Sequence, residues 1–372
     1  MEGGIVEVIK AWTEGEITTF IKVWLAAYIS LSYCYVTGKI VPRGIPRLFA
    51  IVPVVCLFLK LPLHIHSMHL GGVTSFFLAW LANFKLLMFA FNIGPLSDPS
   101  LSLPLFLAIA CLPIKIQQNP PPNTQNQLPS PKISLFSYAV KGVLLALFLR
   151  VYDYSERIHP KLLLFIYCFH IYFCLELILA VVAAMARALL GLELEPQFNE
   201  PLLSTSLQDF WGRRWNIMVN RILRPTVYDP ILCVSTRVMG RKWAPLPAIL
   251  GTFMVSAVMH EMVFYQLCRL RPTWMVTWFF LLHGACLVVE IAIKKAVSGR
   301  WRLPPAVSGP LTCVLVVGTG FWLFFPQLVR CGADVRAIKE YAIVGAFLKD
   351  VWHGLRFSLC SVTGMSYTRN DI

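Results

Sequence analysis

The residue best placed to do chemistry is His260, an imidazole inside the otherwise apolar stretch SAVMHEMVFYQ. A ring that titrates near neutrality can take a proton from a hydroxyl. The same ring between helices can serve simply as a hydrogen-bond link, and the residue alone leaves both open. Glu261 follows directly but points about 100° away around a helix, so it cannot orient its neighbour by side-by-side contact. About thirty residues upstream ends the charged, aromatic segment SLQDFWGRRWNIMVNRILRPTVYDP, Ser206 to Pro230. Its Asn216 carries an amide able to donate to a carbonyl oxygen, or merely to meet water at an interface. Arg213, Arg214, Arg221 and Arg224 lie around it. Guanidinium forks match phosphate geometry, which suits either lipid headgroups or entry of a phosphate-bearing cosubstrate. His64, His66 and His69 form a separate HxHxxH cluster. Three imidazoles this close could bind a metal, but the other five His are isolated and the cluster holds no carboxylate, so a structural or interfacial role is expected. His170, His283, Glu176 and Glu290 are the remaining polar residues in apolar surroundings. The two Glu are expected to pair within a bundle or meet water; His283, beside Gly284, is expected to pack or, with Trp211 and Trp215, to line a tunnel.

Apolar runs must position these groups. They fall at roughly 17–37, 71–92, 101–116, 133–151, 162–190, 245–267, 273–293, 306–329 and 336–358, of which 101–116 is short for a span. Residues 48–63 are also apolar but carry Pro53 and Pro62, and are expected to be re-entrant or interfacial. Lys39, Arg43, Arg47, Lys60, Lys115, Lys132, the arginine-rich 206–242 segment, Lys294, Lys295, Arg300 and Arg302 then share one side. The positive-inside rule makes that side cytosolic, with the N-terminus lumenal, the C-terminus cytosolic and about nine crossings. Residues 206–224 read as one amphipathic helix, with Trp211, Trp215, Met218 and Ile222 on one face and Asp209, Arg213, Asn220 and Arg224 on the other. Ser206 would cap it, Asp209 would sit at the capping-box position and Pro225 would end it. Too polar to span, it should lie at the cytosolic interface with its Trp rings at headgroup depth. Residues 117–132, rich in Pro, Asn and Gln, read as a flexible cytosolic linker. The expected fold is all-α: one membrane domain over residues 1–372, a polytopic bundle of about eight or nine spans with an interfacial helix.

Composition supports this and excludes other classes. Of 372 residues, 57% are hydrophobic and 14% charged, with mean hydropathy +0.65, where a soluble domain carries about 25% charged residues. The excess of 33 Lys and Arg over 19 Asp and Glu does not signal nucleic acid, because the basic residues sit in short loops between apolar runs. Eleven Cys are scattered singly, without CxxC, and read as packed thiols rather than disulfides or a metal knuckle. The first apolar run follows an acidic start (Glu2, Glu7, Glu14, Glu16), unlike a signal peptide, and is expected to remain as a span.

SLQDFWGRRWN with RPTVYDP, followed by the His of SAVMHE, resembles the plant, jojoba-type wax synthase group of the membrane-bound O-acyltransferase superfamily. WLANFKLLMFAF (80–91), GPLSDPSLSLP (94–104), LELEPQFNEP (192–201), FFLLHG (279–284), IKKAVSG (293–299) and FPQLVR (325–330) extend the resemblance over most of the chain. It implies a multi-pass enzyme of the endoplasmic reticulum membrane that esterifies a long-chain fatty alcohol with the acyl group of acyl-CoA, a cosubstrate, using no cofactor. It also implies His260 as the catalytic residue and Asn216 as the second site residue, with Asn where some members of the superfamily have His. Similar plant enzymes act on sterols, which leaves an acyl-CoA:sterol acyltransferase as the alternative. An imidazole can deprotonate the attacking hydroxyl, an amide can stabilise the oxyanion, and burial limits hydrolysis. Without a GxSxG elbow, direct transfer in a ternary complex is expected. Two other classes remain as rivals: a transporter with His260, Glu176 and Glu290 along a polar path, and a histidine-box metalloenzyme on His64, His66 and His69.

Overall fold

A computed structural model describes residues 13–113, 135–191, 194, 196–297 and 303–363. The expected linker at 117–132 lies outside the described residues, as do Arg300, Arg302, Lys115 and Lys132. The described chain is all-helical apart from loops and one isolated bridge residue. Eight helices are long and apolar enough to cross a membrane: α1 Gly15–Ile40, α2 Ile45–His64, α3 Met68–Ala90, α5 Leu135–Tyr152, α6 Pro160–Leu189, α9 Pro245–Cys268, α10 Met275–Ala296 and α11 Pro305–Arg330. Between them lie the short α4, Leu103–Cys111, and two helices of the arginine-rich segment, α7 Ile217–Leu223 and α8 Asp229–Trp243. A last helix, α12, runs over Ala333–Thr363.

Two expectations about the spans are corrected. Residues 48–63 are not re-entrant: α2 is helical through Pro53, and Pro62 sits in the terminal turn. Within a bundle, neighbouring helices tolerate the break in the hydrogen-bond ladder that an interior proline makes. Conversely 101–116 is not a span, because α4 has nine residues and rises only about 14 Å. Its end is held by a buried lysine: Lys85 Nζ donates to the carbonyls of Ile109 at 2.5 Å and Leu112 at 2.7 Å. The ammonium satisfies carbonyls that a helix terminus would otherwise leave unpaired in an apolar setting. The two corrections cancel in parity, so the arginine-rich segment keeps its expected side while Lys60 moves to the opposite end. α12 carries too many charges to count among the eight apolar helices.

The helix ends sort into two layers. At the arginine-rich end, Arg47 donates to the carbonyls of Gly38, Val41 and Phe89, and Gly44 N to Ala90 O, closing α1, α2 and α3 together. At the other end, Arg269 donates to Leu63 O and Ile65 O, Arg336 to Leu267 O and His66 O, and Cys268 is joined to Cys331 by a disulfide. The reading of every cysteine as a packed thiol is therefore corrected for this pair. One large core unites α1 to α4 and a second unites α9, α10 and α11 with the start of the 206–242 segment. A small cluster of Phe77, Leu81, Met218 and Ile222 joins α3 to α7.

Candidate active site

The 206–224 segment is not one amphipathic helix. Ser206 does cap a short start, its hydroxyl accepting from Asp209 N at 3.1 Å, and the chain then winds as a wide π turn through Phe210–Arg214. At Trp215 the backbone is extended, and Asn216 adopts the left-handed conformation at φ 46°, ψ 60°. Asn is among the few residues that enter this region at modest cost. The break is held from outside by the 197–200 strand of chain: Asn199 N donates to Arg214 O, Ile217 N to Gln197 O, and Met218 N to the Gln197 side-chain oxygen. Asp209 does not close a capping box on Ser206; it accepts from Thr205 N and from Arg214 Nε at 2.7 Å. Nor does Pro225 end the helix, which passes through a second π turn at Arg224–Tyr228 into α8.

The break turns Trp211, Trp215, Asn216 and Asn220 inward, and the two Trp rings, expected along a tunnel, line a cavity. The cavity, partly open, lies between α3, the broken segment, α9 and α10. Trp80 forms one wall, and Thr252, Ser256 and His260 recur every fourth residue along the α9 face. Asn220, expected on the polar face, instead reaches the Trp211 carbonyl with its amide. Thr252, Ser256, Asn220 and Trp80 were not singled out from sequence. The four-residue spacing of small polar groups leading to His260 was the signal that could have found the first two.

His260 and Asn216 both line this cavity. His260 Nδ1 lies 2.7 Å from the Ser256 carbonyl. A carbonyl only accepts, so Nδ1 carries the hydrogen and Nε2 carries the lone pair. The ring is fixed by aromatic contacts, with Trp80 edge-on at 4.9 Å and Phe280 at 4.2 Å between centroids. Asn216 Oδ1 is buried without a hydrogen-bond partner. An amide left unpaired in such a place carries a penalty of about 1–3 kcal/mol that a ligand can relieve. Glu261 plays no part here: its carboxylate is buried and accepts from Thr277 N and Oγ1 in the first turn of α10.

The curated relatives span nearly all of the chain. It is 50% identical over 335 residues to acyl-CoA–sterol O-acyltransferase 1 of Arabidopsis thaliana, covering 90% of this chain and 97% of that protein. It is 47% identical over 348 residues to the long-chain-alcohol O-fatty-acyltransferase of Simmondsia chinensis, covering 92% and 98%. It is 46% identical to the probable long-chain-alcohol O-fatty-acyltransferase 3 of Arabidopsis thaliana, covering 90% and 97%. Residues 194–282 match the model of the membrane bound O-acyl transferase family. The chain belongs to the membrane-bound O-acyltransferase family.

In this membrane-bound O-acyltransferase the remaining expected residues divide. Arg213, Arg221 and Arg224 are exposed, with Arg224 Nε 3.8 Å from Asp229. Arg214 is committed inward, to Asp209 and to the carbonyls of Asn199 and Glu200, and so frames the Asn216 break. His283 does not line the cavity; it stands behind Trp211. Glu176 pairs with Lys141 at 2.6 Å, and Glu290 takes Leu207 N and Lys294. Neither joins His260 in a polar path, which removes the structural basis of the transporter reading. The HxHxxH residues diverge: His64 is exposed, His66 lies 3.4 Å from Glu16 and His69 Nδ1 lies 2.6 Å from Glu340. His170 meets the Tyr341 hydroxyl at 3.0 Å.

Proposed function

We propose that the chain is an acyl-CoA:long-chain-alcohol O-acyltransferase of the endoplasmic reticulum membrane that forms wax esters, with His260 and Asn216 as its reacting site. The observation that carries this is the pairing, in one cavity, of an imidazole whose Nδ1 is spoken for with an amide whose oxygen has no partner. The alcohol O–H gives its proton to His260 Nε2 as the oxygen attacks the thioester carbonyl carbon. The carbonyl oxygen becomes an oxyanion, to which the side-chain N–H of Asn216 donates. Collapse breaks the C–S bond; the thiolate of CoA recovers the proton from the imidazolium, and the ester leaves. No acyl-enzyme is required, and we take acyl-CoA as cosubstrate with no further cofactor. Trp80, Trp211, Trp215 and Phe280 surround the reacting atoms with apolar surface, which disfavours water as the competing nucleophile.

The CoA head carries several negative charges and suits the exposed Arg213, Arg221 and Arg224, with Arg214 holding the loop from behind. A sterol is the second reading for the acceptor, supported by the 50% identity to the sterol-named relative. Giving the chain labelled acyl-CoA and a panel of fatty alcohols and sterols, in a host with no background ester synthesis, separates the two. Wax esters alone are the expected product. Sterol esters alone would move the assignment to the second acceptor, and a labelled acyl-protein trapped during turnover would end the direct-transfer mechanism.

A further inference from the structure

His283 is 1% exposed, outside the cavity, and touches none of the reacting groups. Its hydrogen bonds nevertheless lead to the cavity wall. Trp211 Nε1 donates to His283 Nδ1 at 3.0 Å. His283 Nε2 lies 2.7 Å from Thr319 Oγ1, and that hydroxyl donates its own hydrogen to Leu315 O at 2.6 Å. With its hydrogen spent on a carbonyl, Thr319 can only accept from the ring, so Nε2 carries the imidazole hydrogen and Nδ1 is left as an acceptor aimed at the indole. The hydrogens of Trp211 and His283 thus each have one place, and that of Thr319 goes to carbonyls of its own helix, Leu315 O and Val316 O. The relay joins the broken segment, α10 and α11 through a ring that Phe279 covers at 4.3 Å.

Trp211 is the group so held. Its carbonyl is taken by Asn220, its indole face meets Phe253 at 5.5 Å and Phe280 at 5.8 Å, and Phe280 lies 4.2 Å from His260. An indole N–H has only one hydrogen to give, and among the described residues it goes to His283, so the acceptor behind it fixes how the ring stands. We infer that His283 is a positioning residue: as a neutral Nε2–H imidazole it fixes the Trp211 ring as the wall against which the acyl chain and the alcohol are held beside His260. This rests on the transfer reaction proposed above.

The test is a double-mutant cycle on the full-length protein in detergent, normalised to folded protein. His283→Phe keeps the ring shape and removes the acceptor; Trp211→Phe removes the donor. His283→Phe should lower kcat/KM for ester formation about tenfold, the size expected when a buried donor is orphaned, and should fall mainly on the KM of the hydrophobic substrates. His283→Asn, whose Oδ1 stands near the position of Nδ1, should restore most of that loss. In the Trp211→Phe background, His283→Phe should cost little further, because the bond it breaks is already absent. Equal losses in both backgrounds, or no rescue by Asn, would overturn the inference. The same cycle read as thermal unfolding midpoint reports the hydrogen bond without any substrate. Additive midpoints would mean the bond is not made, and coupled midpoints with uncoupled kinetics would reduce His283 to a structural role. An unmodified chain that forms no ester from either acceptor class would count instead against the proposed function, and the relay would then stand or fall on the midpoints.

Discussion

At the residue scale, the two site residues should fail differently when replaced. His260→Ala removes the base, and ester formation should drop by about 10²–10⁴ while the protein still inserts, since among the described residues the ring's one hydrogen bond goes to its own helix. Asn216 holds a left-handed backbone as well as an amide. Asn216→Gly keeps the backbone accessible and deletes the amide; Asn216→Ala deletes the amide and adds strain of about 1–2 kcal/mol. Both should lose roughly 10²-fold in kcat, but only the Ala variant should also lose thermal stability. Equal stability in the two would mean the turn at Asn216 is not what positions the site. His64→Ala should be mild, because that ring is exposed and bound to nothing described. His260 and Asn216 were legible by type alone: an imidazole in an apolar run and an amide in a tryptophan-rich segment need a reason to be there. The role of Arg214 was not, because its partners Asn199 and Glu200 are backbone carbonyls of another loop, and carbonyls carry no signature in sequence.

At the element scale, the site depends on α9 and α10 standing close. They form the most extensive helix pair in the described structure, and Gly284 allows the approach: a Cβ there would meet the Phe253 Cβ at 3.0 Å and Cγ at 3.1 Å. Small residues at such crossings let helix backbones pack where apolar lipid offers no competing drive. Because Phe253 itself lines the cavity, Gly284→Leu should push α10 away, narrow the site and cost about 1–3 kcal/mol in overpacking. Lower thermal stability together with reduced ester formation is the expected pair of readouts; normal activity at normal stability would mean the helices are free to part. The spans themselves were legible because runs of apolar residues report membrane crossing directly. The errors came where local rules speak against the tertiary outcome. Pro53 argues against a span, yet neighbours carry α2 through it; the period of Trp211, Trp215, Met218 and Ile222 argues for one continuous helix, yet Gln197 and Asn199 hold the chain open at Trp215–Asn216.

At the scale of the whole molecule, we propose a sidedness that rests on two observations that do not depend on each other. By the positive-inside rule, clustered basic residues favour the cytosol for the 206–242 segment. The disulfide between Cys268 and Cys331 lies at the far ends of α9 and α11, where an oxidising compartment is needed to keep it. Sequence could not have paired two cysteines 63 residues apart among eleven. Together they direct the exposed arginines toward cytosolic acyl-CoA and leave the bond in the lumen, bracing the helix of His260 against the one that brings Phe324 to 6.1 Å from its ring. In denatured, alkylated microsomal protein, reduction should therefore add two maleimide tags to the unmodified chain and none to a Cys268→Ser chain. Trypsin outside sealed microsomes should cut at the exposed Arg237, Arg241 or Lys242 and spare the exposed Arg269 until the membrane is opened. Losing the bond in a Cys268→Ser, Cys331→Ser chain should cost about 2–4 kcal/mol of stability, with ester formation falling only as the fold loosens. No change in tag number on reduction, or cleavage at Arg269 in sealed vesicles, would invert the arrangement and put the arginine-rich face on the side that acyl-CoA does not reach.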